Sequence, residues 1–170
     1  MPDANPASGV TLIVLDVDGV LTDGRITLDG EGRESKSFYV RDGLAIAEAV
    51  RAGYTIAIIS GRNSPVVTHR ARELKIHEVH QGVGDKLPVF KQLVEKYSLS
   101  AGQSVFMGDD VNDLAVLKAA GFSAAPADAD DTVRAAAKWV SRHKGGRGAV
   151  RELIELVMRT QHKWPYTGND

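Results

Sequence analysis

The sequence predicts an α/β fold: a doubly wound, mainly parallel sheet carrying a β-hairpin insertion and no cap domain. Three observations lead there. Short, continuous apolar runs of strand length recur along the chain, longer amphipathic stretches separate them, and one segment breaks the alternation. Strands covered on both faces read as unbroken apolar runs, and parallel pairing requires crossover helices of about this length.

The first run, "TLIVLD" at 11–16, ends in two carboxylates one residue apart, Asp16 and Asp18, followed by Gly19 and by a third carboxylate, Asp23. Residues 25–40, "RITLDGEGRESKSFYV", read as two β-prone arms around a turn at Asp29-Gly30-Glu31-Gly32, a hairpin signal. Helical periodicity resumes at once in "DGLAIAEAVRAG", where Leu44, Ala45, Ala47, Ala49 and Val50 supply the apolar positions, so a lid domain has no room. The helix at 42–52 leads to a strand at 54–60 ("YTIAIIS"), a helix at 64–74 and a strand at 76–81 ("IHEVHQ"). A helix at 85–97, a strand at 104–109 ("SVFMGD"), a helix at 110–120 and a strand at 122–126 ("FSAAP") follow, then helices at 130–137 and 148–160. The glycine-rich "KGGRGAVRE" at 144–152 either punctuates entry to the last helix or brings backbone toward an anion.

With 170 residues, 43% apolar and 25% charged, the chain is expected to form a single domain over 1–170 with one core. Residues 1–9 and about 163–170 read as flexible tails, although Trp164 and Tyr166 are aromatics able to cover a neighbouring surface or a partner subunit. A formal charge of −1 gives no basic footprint, which argues against nucleic acid or a membrane as main partner. The absence of cysteine removes disulfides, thiolate metal sites and cysteine nucleophiles, and makes a cytoplasmic setting the natural expectation. No apolar run approaches the roughly 18 residues that a membrane span needs.

In open α/β sheets the functional crevice lies beyond the carboxyl ends of the strands. Four such ends here carry complementary groups: Asp16 and Asp18; Ser60, Gly61 and Arg62; Lys86 in the exit from the third long run; and Asp109, Asp110, Asn112 and Asp113. An EF-hand reading of the first cluster fails, because Val20, Leu21 and Thr27 stand where that loop needs ligands and its glycine. Taken singly, Ser60-Gly61 would be a turn and cap, Lys86 a surface lysine, and Asp109 to Asp113 helix-start charge. Their placement on one rim points instead to phosphate-ester chemistry.

A phosphoryl dianion approaches a carboxylate nucleophile only when its charge is neutralised, and oxygen-bound Mg2+ does this with few protein ligands. Asp16 and Asp109, with the main-chain carbonyl of Asp18, can hold the ion; Asp16 is the nucleophile and Asp18 the acid and base. Ser60 and Lys86 suit the phosphoryl oxygens.

The motifs "DVDGVLTD", "IISGR", the lysine of "GDK" and "GDDVND" resemble, in order, the four motifs of the haloacid dehalogenase-like phosphatases. The resemblance implies a Rossmannoid core, magnesium dependence, the roles just given for Asp16, Asp18, Ser60, Lys86 and Asp109, and a supporting role for Asp113. A closer likeness runs through "SFYVRDGLAI", "ISGRNSPVVTHRARELKI", "GVGDKL" and "GGRGAVRE". It is to the capless branch that removes phosphate from 3-deoxy-D-manno-octulosonate 8-phosphate, a sugar acid of lipopolysaccharide synthesis. A substrate carboxylate needs cationic anchors, and Arg62 and Arg70, eight apart, are expected to share a helix face toward it. Arg41, Asp42, Gly43 and Asn112 are candidates for a polar rim on the sugar. The branch implies a homotetramer in which the hairpin lets neighbouring subunits wall the open site. Two alternatives remain: a phosphatase for a nine-carbon sugar acid phosphate, and a receiver-type signalling module, which has no use for Asp18.

Overall fold

The computed structural model describes residues 5–166. Strand β1 (Leu12–Leu15) is fully buried and lies at the centre of a six-stranded sheet. After it come a two-residue-armed hairpin, β2 (Thr27–Leu28) and β3 (Glu34–Ser35), and helix α1 (Val40–Arg51). The chain continues through β4 (Thr55–Ile59), α2 (Pro65–Glu73), β5 (Glu78–His80), α3 (Lys86–Lys96) and β6 (Ser104–Met107). It closes with α4 (Leu114–Ala119), β7 (Phe122–Ala125), α5 (Asp131–Ala136), β8 (Trp139–Val140) and α6 (Ala149–Thr160). The strand order is β5-β4-β1-β6-β7-β8, every pair parallel.

Alternation along each strand builds two apolar layers. Ile13, Leu15, Ile56, Ile58, Val105 and Met107 face α1, α2 and α6, whereas Leu12, Val14, Ala57, Ile59 and Phe106 face α3, α4 and α5. Burying each of the larger side chains contributes roughly 1.5–3 kcal/mol, and β1, central in the sheet with all four residues fully buried, is firmly anchored. Asp16, donating its N–H to Met107 O at 3.1 Å, extends that rigid strand by one residue into the crevice.

Several elements differ from the sequence expectation. The stretch 110–120 divides into a 3-10 turn at Val111–Asp113 and the short α4, because Asp110 accepts from Val111 N while Asp113 turns back toward the crevice. Strand β8 has no periodicity of its own; it exists by pairing with Ala124 and Ala125 of β7. The expected loose tails are packed where described. Ala7 is buried and its carbonyl accepts from Gln161, while Trp164 is buried, sits edge-on to Tyr166 and lies 4.6 Å beneath the Arg151 guanidinium. The remainder of the expected tails, 1–4 and 167–170, lies outside the described residues.

The glycines of "KGGRGAVRE" serve the crevice from behind. A Cβ on Gly145 would lie 1.8 Å from the carbonyl oxygen of Gly19, and one on Gly146 2.5 Å from the carbonyl carbon of Thr22. Only bare backbone can press against the loop that follows β1. Gly145→Ala is therefore expected to destabilise the fold by roughly 2–4 kcal/mol, read as a lowered urea midpoint; an unchanged midpoint would mean that this close approach is not needed.

Candidate active site

The loop after β1 is a tight knot. The N–H groups of Val20, Leu21 and Thr22 all donate to Val17 O at 2.9–3.1 Å, and Thr22 Oγ1 accepts from Gly24 N at 3.2 Å. Gly19 has φ +86°, and a Cβ there would fall 1.8 Å from Asp109 Oδ2, so glycine is required where β1 and β6 deliver their carboxylates together. Asp16, Asp18, Ser60, Arg62, Lys86, Asp109 and Asn112 line one open cleft of about 220 Å3 at the carboxyl ends of β1, β4 and β6.

Lys86, at the first position of α3 and 2% exposed, is the cation at the centre. Its Nζ lies 2.9 Å from Asp16 Oδ1 and donates to Asp113 Oδ1 at 2.7 Å. Burial alone would depress its pKa, but the charges of Asp16 and Asp113 outweigh that and raise it, so Lys86 stays protonated. The other oxygen of Asp113 accepts from the N–H groups of Asp109 and Asp110, which locks the β6 exit loop. Ser60 is held by its own backbone, donating to His80 O at 2.8 Å and accepting from Val83 N at 3.0 Å.

Carboxylates outnumber cations here. Burial pushes Asp16 up to about 6 against the opposing charge of Lys86, with Asp113 adding to the rise. Burial, then the charges of Asp16 and Asp113, push Asp109 up to about 8. One oxygen from each of Asp16, Asp109 and Asp113 lies within 4.8 Å of the others. Since Asp113 is already engaged by Lys86 and two N–H groups, Asp16 and Asp109 are the pair left to share a hard cation, and an all-oxygen donor set fits magnesium.

Two residues that sequence reasoning missed complete the rim. Lys36, from the hairpin, has no exposed side-chain surface and reaches Asp18 Oδ1 at 2.5 Å and Glu34 Oε1 at 3.0 Å. Glu34 in turn accepts from Arg62 at 2.9 Å and from Ser64 Oγ at 2.9 Å, and the hydrogen bonds from Arg62 and then Lys36 hold its pKa down at about 2. The available signal was the i, i+2 spacing of Glu34 and Lys36, which puts both on one face of a strand.

Other expected residues go elsewhere. Arg62 precedes α2 and Arg70 lies within it, so they share no helix face: Arg70 pairs with Glu73 at 2.8 Å and lies over the Phe38 ring. Asp42 is buried and accepts from Arg151 N at 2.8 Å, Gly43 packs under Arg70, and Arg41 opens onto a different cleft. None of Arg41, Asp42, Gly43 or Arg70 lines the catalytic cleft of its own chain. Asp23 is exposed and accepts from Arg25 N, forming a turn.

Comparison with known proteins agrees with this geometry. Residues 71–154 match the family of haloacid dehalogenase-like hydrolases. Over 157 residues the chain is 41% identical to 3-deoxy-D-manno-octulosonate 8-phosphate phosphatase KdsC of Escherichia coli K12, covering 92% of this chain and 84% of that protein. The crystal structure of the phosphatase of that name from Yersinia pestis superposes with a TM-score of 0.91 at 39% identity, over 93% of this chain and 85% of that one. The Moraxella catarrhalis phosphatase, crystallised with magnesium, phosphate and KDO, gives a TM-score of 0.90 at 38% identity, over 92% and 90%. With carboxylates, serine and lysine gathered on one strand-end rim and this likeness running through nearly the whole chain, the protein belongs to the 3-deoxy-D-manno-octulosonate 8-phosphate phosphatase family of haloacid dehalogenase-like hydrolases.

Proposed function

We propose that this chain is a magnesium-dependent phosphatase that hydrolyses 3-deoxy-D-manno-octulosonate 8-phosphate to the free sugar acid and phosphate. The observation that carries the reading is the Asp16 carboxylate at a rigid strand end, 2.9 Å from a buried Lys86, with Asp109 beside it and Asp18 on the same cleft wall. An oxygen of Asp16 attacks phosphorus, the bond to the sugar oxygen breaks, and Asp18 gives that oxygen a proton. Water then attacks the aspartyl-phosphate, Asp18 takes its proton, and the bond from Asp16 to phosphorus breaks. Lys86, Ser60 and loop N–H groups neutralise the phosphoryl oxygens throughout. Magnesium, when bound between Asp16 and Asp109, supplies the charge that lets anion meet anion. Asp113 fixes Lys86 and the loop of Asp109, while Arg62 and Asn112 are the groups of this chain placed to meet the sugar acid.

Phosphate release from a panel of eight- and nine-carbon sugar acid phosphates, with magnesium and with chelator, tests the reading. The eight-carbon ester is expected to be preferred and chelation to abolish release; equal rates across the panel, or turnover that survives chelation, would overturn it. The carboxylates add a thermal signature. Between about 4 and 8 the metal-free fold retains protons on Asp16 and Asp109 that the unfolded chain has lost, so metal-free stability falls as pH rises through that window. Magnesium displaces those protons, and the melting-temperature gain on adding it is expected to be larger at pH 8 than at pH 5.5.

We further propose a homotetramer built on the hairpin. Ile26, Leu28, Val40 and Leu44 form an exposed apolar set around it, which a capless enzyme with an open cleft can use to bring in neighbouring walls. Sedimentation is expected to show four copies, and Leu28→Lys to dissociate them; a fully active wild-type monomer would rule the assembly out as necessary. No helix among the described residues is long and apolar enough to cross a membrane.

A further inference from the structure

A cleft of about 420 Å3, larger than the catalytic one and sharing no residue with it, opens between the start of α1, β8 and α6. Arg41, Arg142, Arg147, Arg151 and Arg159 line it against two carboxylates, Glu152 and Glu155, an excess of three positive charges in a chain of formal charge −1. That concentration has no role in the reaction described above.

The two carboxylates are already taken. Glu152 accepts from Arg142 Nε at 2.6 Å and from Ser141 Oγ at 2.6 Å, and Glu155 accepts from Arg151 at 2.9 Å and Arg159 at 2.6 Å. Among the described residues Arg41 and Arg147 have no carboxylate partner, and both are exposed in the lining of the cleft. The α6 start is not the binding group, because Asp42 already accepts from Arg151 N there. Tyr39 and Trp139 add aromatic walls.

We propose that this cleft is a second anion-binding site, for a small molecule carrying two or more phosphate or carboxylate groups. Multivalency follows from the size of the cleft and from how many elements supply its cations. Arg151 and Arg159 converge on Glu155, while Arg41, Arg142 and Arg147 come from the start of α1 and from the loop between β8 and α6, around a space of about 420 Å3. One phosphate leaves most of that space empty; a chain of two or three fills more of it. Planar guanidinium forks, rather than ammonium groups, are what bidentate oxyanion capture uses. The sequence clue is Arg147, the single cation within "GGRGA", whose flanking glycines pack inward while it points to solvent.

Titration calorimetry of the full chain with tripolyphosphate, chelator present, tests this. Arg142→Gln/Arg147→Gln is expected to lose one binding equivalent per chain, or to weaken it at least tenfold, while the inhibition of turnover by inorganic phosphate, which reports a folded catalytic cleft, stays unchanged. Inorganic phosphate is expected to bind this site at least tenfold more weakly than tripolyphosphate. Unaltered tripolyphosphate binding in the double variant, or equal affinity for the mono- and triphosphate, would overturn the proposal. Because turnover is measured separately, a failure here is distinct from a failure of the phosphatase reading.

Discussion

Asp16→Asn is expected to lower phosphate release by on the order of 10^4-fold while leaving the protein folded, because an amide offers no nucleophilic oxyanion. The substitution is nearly isosteric, and Lys86 keeps Asp113 at 2.7 Å as a partner. It also removes a negative charge that, after burial, is the largest cause of the raised Asp109 pKa. Metal-free Asp16→Asn should thus melt no lower than wild type at neutral pH, so that lost activity cannot be ascribed to unfolding. Hydrolysis at the wild-type rate in a folded Asp16→Asn protein would end the covalent mechanism, and with it the roles assigned to every neighbouring group.

Asp18→Asn should cost about 10^2- to 10^4-fold on sugar acid phosphates, whose alkoxide leaves poorly without a proton. With p-nitrophenyl phosphate, whose leaving group needs none, the expected record is a burst of one nitrophenolate per site followed by slow release, since deprotonation of water is still missing. Absence of a burst would remove Asp18 from the second half-reaction. Lys36 acts through Asp18: buried against it and against Glu34, it fixes where the carboxyl points. Lys36→Met should lower kcat about tenfold with little change in KM, and Lys36→Arg should recover part of the loss. A Lys36→Met enzyme with unchanged kcat and a lowered melting temperature would make the lysine structural only.

Much of this was legible because it is local. A strand buried on both faces must be a continuous apolar run, so "TLIVLD" and "SVFMGD" announced central strands and placed Asp16, Asp18 and Asp109 at their ends. Continuity of chain likewise put Lys86 at a helix start. Strand β8, two residues held by the edge of β7, carries no pattern that periodicity could detect. The Arg62 and Arg70 pairing failed for a related reason: Pro65 starts the helix after Arg62, so spacing counted along one helix did not apply.

The order of the elements and the chemistry at the strand ends were readable along the chain, since both follow from which residues adjoin which. Packing, in contrast, is what lays Lys36 and Glu34 of the hairpin over Asp18, presses Gly145 and Gly146 against the loop behind it, and brings Arg41 to the cleft of the four arginines at 142–159. Those are contacts between segments up to more than a hundred residues apart, and their existence depends on how helices and loops settle on the sheet, a choice made by the whole packed core and not by any stretch of chain.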